Sequence, residues 1–403
     1  MRKQDAIELG TYLDLQDRDL TIAPADLAYH TAILAQSGSG KSSFLGRLVE
    51  EILLKTLSKV IILDLNGDFR RFTDPADPES QKTAQERKIQ SDFASRWQKL
   101  RIRRIRPAGL TWADFPLAEQ VSILGLDWQR DGMEIELWDR CIAEVSNRGV
   151  VTSEAIQEQL STFCKGILHP TEPVASETRL ALKRLDNALN KVSRWSIFGG
   201  NGPRFVFQHS PQLHGHDIQV IDLPSVSDAA ERMAVVSCCI RKVWEAARDG
   251  WEAAAAAGKI PANRVPTFIV IDEAHNLVPK RTDSALAETV ASSLHQVAAE
   301  GRKYGLFLIL ASQRPAKIRR GLLSECENTC LLRLQSPIDH QAAADTWGIP
   351  LEDAMRTRHF RTGQGILFGR WVPSTTAFVA ARRRTIEGGA SLDAQFWAKS
   401  RDL

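Results

Sequence analysis

The chain has 403 residues, of which 43% are hydrophobic and 25% charged, with a formal net charge of +3. This is the composition of an ordinary soluble globular protein of one to three domains. So small a charge does not by itself imply a nucleic-acid partner, and any basic surface has to come from local clustering. No stretch approaches the roughly 18–20 apolar residues of a membrane span, and the start, MRKQDAIELG, lacks an apolar signal core. The expectation is a cytoplasmic protein with no membrane segment of its own. The six cysteines (141, 164, 238, 239, 326, 330) form no zinc or disulfide framework and read as buried thiols.

In chain order, residues 1–30 read as a short polar arm, with Tyr12, Leu13, Leu15, Leu20 and Ile22 as possible strand positions. Thr31 to Leu34 is an apolar run fit for a buried strand. Ala35 to Ser42 then reads A-x-x-x-x-G-K-S, and Phe44, Leu45, Leu48, Val49, Ile52 and Leu53 follow at helical spacing. Strand, glycine-rich turn and helix is the context a phosphate-binding loop requires. Gly38 and Gly40 let the backbone wrap a phosphate without steric cost, and the amides at the new helix's N-terminus favour anions. Ser37, Gly38, Ser39, Gly40, Lys41, Ser42 and Ser43 are therefore candidate nucleotide-binding residues. Lys41 would supply a cation for the β- and γ-phosphates, and Ser42 a hydroxyl for Mg²⁺. Ala35 stands where the first glycine of the pattern is usual, a mild departure.

Lys59 to Asp64 (KVIILD) reads as a second buried strand, followed by the turn Asn66-Gly67-Asp68. Asp64 and Asp68 either reach the nucleotide at the carboxyl end of the strands or belong to an ordinary N-G turn, with equal weight. Ile89, Phe93, Trp97 and Leu100 mark a helical face. RIRRIR (101–106) could touch phosphates, although a charge run is more often a solvated face.

Residues 116–195 look mainly helical, as in EIELWDRCIAEV (134–145) and ETRLALKRLDNALNKV (177–192). Pro170 and Pro173 separate these pieces, and the Gly/Pro stretch 199–203 closes them. Further strands are expected at DIQVIDL (217–223), TFIVID (267–272), GLFLILAS (305–312), 365–369 and 375–381. This alternation argues an α/β fold, a mainly parallel sheet covered on both faces. The reading divides the chain into the arm 1–30, a first core part 31–75, a mainly helical insertion 76–215, a second core part 216–385 and a tail 386–403.

FIVIDEAH (268–275) ends a buried strand in Asp272 and Glu273. Beside a phosphate loop, the first carboxylate would hold Mg²⁺ through water and the second would polarise the attacking water. Gln313, after the next strand, could sense the γ-phosphate or position water. Phosphoryl transfer often takes an arginine from a neighbouring subunit. Arg302 is the candidate, with Lys303 behind it; the competing role is satisfying helix-end carbonyls before Gly305. Lys280, Arg281, Lys317, Arg319 and Arg320 are candidate phosphate contacts for DNA.

Together, HTAILAQSGSGKS (30–42), ILDLNGDF (62–69), VIDL (220–223), FIVIDEAHNLVP (268–279), AAEGRKYGLFLILASQRP (298–315) and TGQGILFGRWVP (362–373) resemble the HerA/FtsK superfamily of P-loop ATPases, nearest its HerA-like branch. The resemblance implies a RecA-like core, a hexameric ring, ATP and Mg²⁺ between subunits, and double-stranded DNA in the central pore. It would make Lys41 and Ser42 the phosphate and metal residues, Asp272 a metal residue, Glu273 the catalytic base, Gln313 a sensor and Arg302 the trans-acting finger. It also implies a nuclease or other effector as partner, in repair or in anti-phage defence. Members typically carry an N-terminal β-barrel of about a hundred residues, expected here to be missing or reduced. A superfamily 2 helicase fits poorly, because only about 130 residues follow Asp-Glu-Ala-His. An ATP-gated scaffold without sustained turnover is the alternative, and Glu273 speaks against it. A conjugation or secretion motor is disfavoured because no anchoring segment is present.

Overall fold

The computed structural model describes residues 6–15, 18–81, 83–147, 149, 152–168, 176–198, 217–258, 265–282 and 284–388, without the side chains of 153 and 163–168. The Gly/Pro stretch at 199–203, Pro170, Pro173, the Cys164 side chain and the tail beyond 388 lie outside the described residues. The described strands are β1 (Ile7–Tyr12), β2 (Asp19–Ile22), β3 (Thr31–Leu34), β4 (Lys59–Asp64), β5 (Ile102–Ile105), β6 (Ile218–Asp222), β7 (Thr267–Ile271), β8 (Leu306–Ser312), β9 (Asn328–Leu332), β10 (Gln364–Gly369) and β11 (Thr376–Ala380). They form one sheet in the order β2-β1-β11-β10-β9-β3-β8-β7-β4-β6-β5. From β9 to β5 every neighbour is parallel. β10, β11, β1 and β2 extend one edge in antiparallel fashion.

The helices are α1 (Lys41–Lys55), α2 (Ala84–Trp97), α3 (Leu117–Leu124), α4 (Gly132–Ser146), α5 (Ser153–Leu168), α6 (Ser176–Val192), α7 (Ala229–Ala256), α8 (Ala285–Tyr304), α9 (Arg320–Ser324), α10 (Pro337–Trp347) and α11 (Leu351–Arg356). Side chains alternate across a strand, so each parallel strand feeds two cores. Ile33, Val60, Ile62, Val270 and Ile309 pack with Phe44 and Leu48 of α1 and Trp97 of α2. Ile61, Leu63, Ile269, Ile271, Leu308 and Leu310 pack on the other face with α7 and α8. Trp138, Leu182, Leu185 and Leu189 of the helical segment join that same cluster, so these helices share the sheet's core. Each such side chain fully buried contributes roughly 1.5–3 kcal/mol.

Local chemistry sets the helix ends. Asp228 accepts from the amides of Ala230 and Glu231 to start α7, and Ser284 accepts from the Ala287 amide to start α8. Gly305, at φ 79°, closes α8 in a left-handed turn and leads directly into β8.

Two strands were not expected. The RIRRIR run contains β5, an edge strand with Ile105 buried and Arg104 paired to Asp222 at 2.5 Å. The segment around Cys330 is β9, buried throughout and parallel to β3. The arm also joins the sheet, with β1 pairing β11 in the register Gly10↔Ala380. Cys141, Cys238, Cys239, Cys326 and Cys330 are buried free thiols. Among the described residues no helix is long and apolar enough to cross a membrane.

Candidate nucleotide-binding site

The phosphate loop runs from the carboxyl end of β3 into α1. Gly38 (φ 72°) and Gly40 (φ 94°) adopt left-handed backbone, which a side chain would strain. A Cβ on Gly40 would also come within 3.2 Å of the Gly363 nitrogen. The loop is fastened on two sides. The Ser39 hydroxyl donates to the carbonyls of Gln36 at 2.6 Å and Arg333 at 2.9 Å. From the turn before β10, the Thr362 hydroxyl donates to the Gly38 carbonyl at 3.1 Å and the Gly363 amide to the Ser39 carbonyl at 2.9 Å. Ser37 and Gly38 are exposed, Ser39 and Lys41 are buried, and Gly40, Ser42 and Ser43 are half-buried. α1 therefore starts at a fastened, partly exposed loop end, and the free amides of a helix's first turn favour an anion there.

β8 lies between β3 and β7, so the acidic strand is one strand removed from the loop. Lys41 bridges the gap. Its ammonium pairs with Asp272 Oδ1 and with Glu273 Oε1, the latter at 2.9 Å. Gln313, just past β8, donates from its side-chain amide to Glu273 Oε1 at 2.5 Å and from its backbone to Oε2 at 3.3 Å. His275 Nδ1 stands 3.3 Å from Glu273 Oε2 and 3.1 Å from the Ser312 hydroxyl. The structure therefore brings Lys41, Asp272, Glu273 and Gln313 together. His275 was missed by sequence reasoning; its only signal was its place in the D-E-A-H run.

The two acids are tuned apart. Burial pushes the Asp272 carboxyl above its ordinary value, and Lys41 offsets this only partly. Burial acts in the same direction on Glu273, but the His275 hydrogen bond, the Lys41 charge and the Gln313 amide outweigh it and hold its pKa near 2. Burial alone would lower Lys41, but the two carboxylates raise it. Glu273 is also the one non-glycine described residue at positive φ (54°). That left-handed conformation costs roughly 1–2 kcal/mol for an L-residue, strain of the kind that persists at functional sites.

The Ser42 hydroxyl donates to Asp68 Oδ2 at 2.6 Å, so Asp68 does reach the loop. Asp64 instead closes its own turn, accepting from the Gly67 and Phe69 amides at 2.8 and 3.1 Å. Burial raises its pKa to about 6 against those two hydrogen bonds. Arg383 braces this turn from below. Its guanidinium lies 4.9 and 4.7 Å from the rings of Phe69 and Phe72 and donates to the Asp68 carbonyl at 3.2 Å. Gly46 leaves room for it, since a Cβ there would meet Arg383 Cδ at 2.4 Å. Asp272 Oδ2 is buried and has no hydrogen-bond partner. A buried carboxylate oxygen without a donor, beside a serine hydroxyl and a second acid, suits a hard divalent cation such as Mg²⁺.

Arg302 is not part of this constellation. It precedes β8, at the amino end of the sheet, while Gln313 follows β8 at the other. Its guanidinium pairs with Glu327 at 2.5 Å and lies over Tyr29 at 4.6 Å. Lys303 lies over Trp251. The two basic segments after the acidic strand and after Pro315 run side by side, with the Lys280 backbone amide donating to the Lys317 carbonyl at 2.7 Å and a Pro279↔Ile318 bridge. Lys280, Arg281 and Lys317 are exposed there. Arg319 is taken up by Glu288 at 2.5–2.7 Å, and Arg320 donates to the Asp345 carbonyl.

Residues 7–243 match the family described as "Helicase HerA, central domain", and residues 226–334 match the ATPase family associated with various cellular activities. The chain is 24% identical over 351 residues to a probable helicase of Methanocaldococcus jannaschii, covering 85% of this chain and 64% of that protein. It is likewise 24% identical over 361 residues to the DNA double-strand break repair helicase HerA of Sulfolobus acidocaldarius, covering 87% and 64%. It thus spans just under two thirds of the length of both relatives. In fold it is similar to VirB4 of Thermoanaerobacter pseudethanolicus, with a TM-score of 0.60 at 16% identity, covering 93% of this chain and 96% of that one. The plasmid coupling protein TrwB, solved with a non-hydrolysable ATP analogue, gives 0.59 at 12% identity, covering 95% and 91%. With the family match extending over more than half of its length, the chain belongs to the family of the HerA helicase central domain.

Proposed function

We propose that this chain is an ATP-hydrolysing motor subunit that acts on double-stranded DNA as a homo-hexameric ring. The observation that carries the reading is the convergence of Lys41 from the β3 loop with Asp272 and Glu273 from β7 and Gln313 from β8. In this reading Lys41 exchanges its two carboxylates for the β- and γ-phosphates of ATP. Ser42 and Asp272 hold Mg²⁺, which when bound neutralises charge on the phosphate oxygens. Glu273, freed of Lys41 but still held by His275 and Gln313, accepts the proton of the attacking water. Gln313 keeps the carboxylate and the water in register. Arg302, at the opposite end of the parallel strands from the same subunit's loop, serves the neighbouring subunit's nucleotide.

Lys280, Arg281 and Lys317 would present phosphate contacts to DNA from one ridge, whereas Arg319 and Arg320 chiefly brace it. Such contacts carry little sequence preference and weaken steeply with salt. The reading extends to a nuclease or other effector driven by the ring, including one serving anti-phage defence. Steady-state ATP turnover with and without duplex DNA tests the core of it. The expected result is Mg²⁺-dependent turnover stimulated by duplex DNA and lost in Lys41→Ala. Nucleotide-dependent assembly with negligible turnover would replace the motor by an ATP-gated scaffold.

A further inference from the structure

Among the buried polar atoms without a partner, two belong to residues that contact the phosphate loop, and to groups of opposite charge: Asp272 Oδ2 and Arg333 Nε. The first calls for a cation. The second has no role in the site as described so far. Arg333 follows β9 directly, and β9 runs parallel to β3, so it emerges beside the loop. Its carbonyl accepts from the Gln36 amide and the Ser39 hydroxyl, both at 2.9 Å. The backbone of Arg333 is therefore fixed to the loop on either side of Ser37 and Gly38.

Its guanidinium, by contrast, makes no hydrogen bond or ion pair with any described residue. Arg333 is half-buried, and the fully buried arginines each keep charged or polar partners, although Arg47 Nε is likewise unpaired. Arg47 pairs with Glu51 and Glu8 at 3.0 Å. Arg383 donates to Thr385, Asp68 and Ile386 and is covered by two aromatic rings. A guanidinium held partly out of water with no acceptor is costly, and its planar fork of donors matches phosphate oxygens.

We propose that Arg333 is a nucleotide-binding residue of this same subunit, its guanidinium taking an anionic oxygen of the triphosphate. This rests on the phosphate-loop reading and adds a second cation to it. Lys41 comes from within the loop; Arg333 approaches from the adjoining strand. The absent partner is thus supplied by the ligand, as it is for Asp272.

The test uses Arg333→Ala and Arg333→Lys, with Lys41→Ala as control. Affinity for a fluorescent ATP analogue with Mg²⁺ is measured by titration, with inorganic tripolyphosphate as competitor. Melting temperature is read without and with nucleotide. Arg333→Ala should melt no lower than the parent without nucleotide, because an uncompensated cation has been removed. It should bind the ATP analogue and tripolyphosphate about 10- to 100-fold more weakly, the range for hydrogen bonds to a charged group, and Arg333→Lys should recover part of the loss. Parental affinity in Arg333→Ala, with Lys41→Ala defective, would remove the assignment and leave the phosphate loop standing. A loss for the ATP analogue but not for tripolyphosphate would move the contact to the nucleoside and overturn the proposal. A lower melting temperature with affinity intact would make Arg333 structural. Parental affinity in Lys41→Ala itself would instead sink the phosphate-loop reading.

Discussion

The two ends of the parallel sheet treat charge in opposite ways. At the carboxyl end, Lys41, Asp272 and Glu273 are 5%, 0% and 3% exposed, linked to one another, and leave Asp272 Oδ2 without a donor. At the amino end, Arg302 and Arg370 share Glu327 at 2.5 and 3.0 Å and both lie over Tyr29, out in solvent. Exposed pairs of that kind contribute at most about 1 kcal/mol each. The buried set carries strain, opposed pKa shifts and an unmet valence. Such an arrangement makes little sense for stability alone and is intelligible as a site awaiting a ligand. The amino end is a self-contained cationic surface, suited to meeting something outside the subunit.

Substitutions can break or sharpen that contrast. The largest effect is expected from Glu273→Gln, which keeps shape and nucleotide binding but removes the base. ATP turnover should fall about 10³-fold, while binding in a filter or fluorescence assay persists; near-parental turnover would move the base elsewhere. Arg302→Ala should also cost about 10³ in turnover if the amino end serves a neighbour. The diagnostic is mixing, because activity should return in assemblies of Arg302→Ala with Glu273→Gln subunits, and a mixture as dead as its parts would confine the arginine to its own subunit.

Smaller effects concern stability. His30 is buried beside Arg302, with its ring hydrogen-bonded to the Ala298 carbonyl and the Leu308 amide, and burial lowers its pKa to about 4. Its folded form is neutral, so its contribution is complete above about pH 6.5 and is lost as pH falls toward 4. That amounts to about 3 kcal/mol. Denaturant titrations at pH 7.5 and 4.5 should show a flatter acid limb for His30→Gln, and an unchanged limb would place the acid sensitivity in another group. Finally, the left-handed φ of Glu273 predicts that Glu273→Gly is more stable than Glu273→Ala by about 1 kcal/mol, measured on the nucleotide-free chain. A reversed order would mean that the turn relaxes once the carboxylate is gone.

How legible this was in the sequence depends on how local the signal is. The loop 35–42 and the acids 272–273 each sit at the end of an apolar run, where short-range pattern and chemistry agree, and the strands around them were expected within a residue or two. β9 was missed because a strand buried on both faces shows no alternation, and its polar Asn328 and Thr329 interrupt the apolar run. β5 was hidden by arginines that an edge strand can tolerate on its exposed side. The arm's two strands make sense only through β11, more than 350 residues away, a pairing no local pattern reveals. The same holds for Arg333, Arg383, Thr362 and Gly363, which act on the loop across the whole length of the chain. Asp68 stood out as one of two acids in a turn, but choosing it over Asp64 required its contact with Ser42.

β8 has one further consequence. All seven of its residues are buried, and it is paired on both sides, to β3 and β7. A strand held in this way, about 23 Å long, moves as a rod or not at all. Gln313 rides on one tip and the helix bearing Arg302 leads into the other. If Arg302 serves a neighbouring subunit as proposed above, a tug on Gln313 by one subunit's triphosphate would arrive a strand's length away at that neighbour's phosphates. Consecutive firing would then need no separate timing device, because the sheet itself would be the drive shaft.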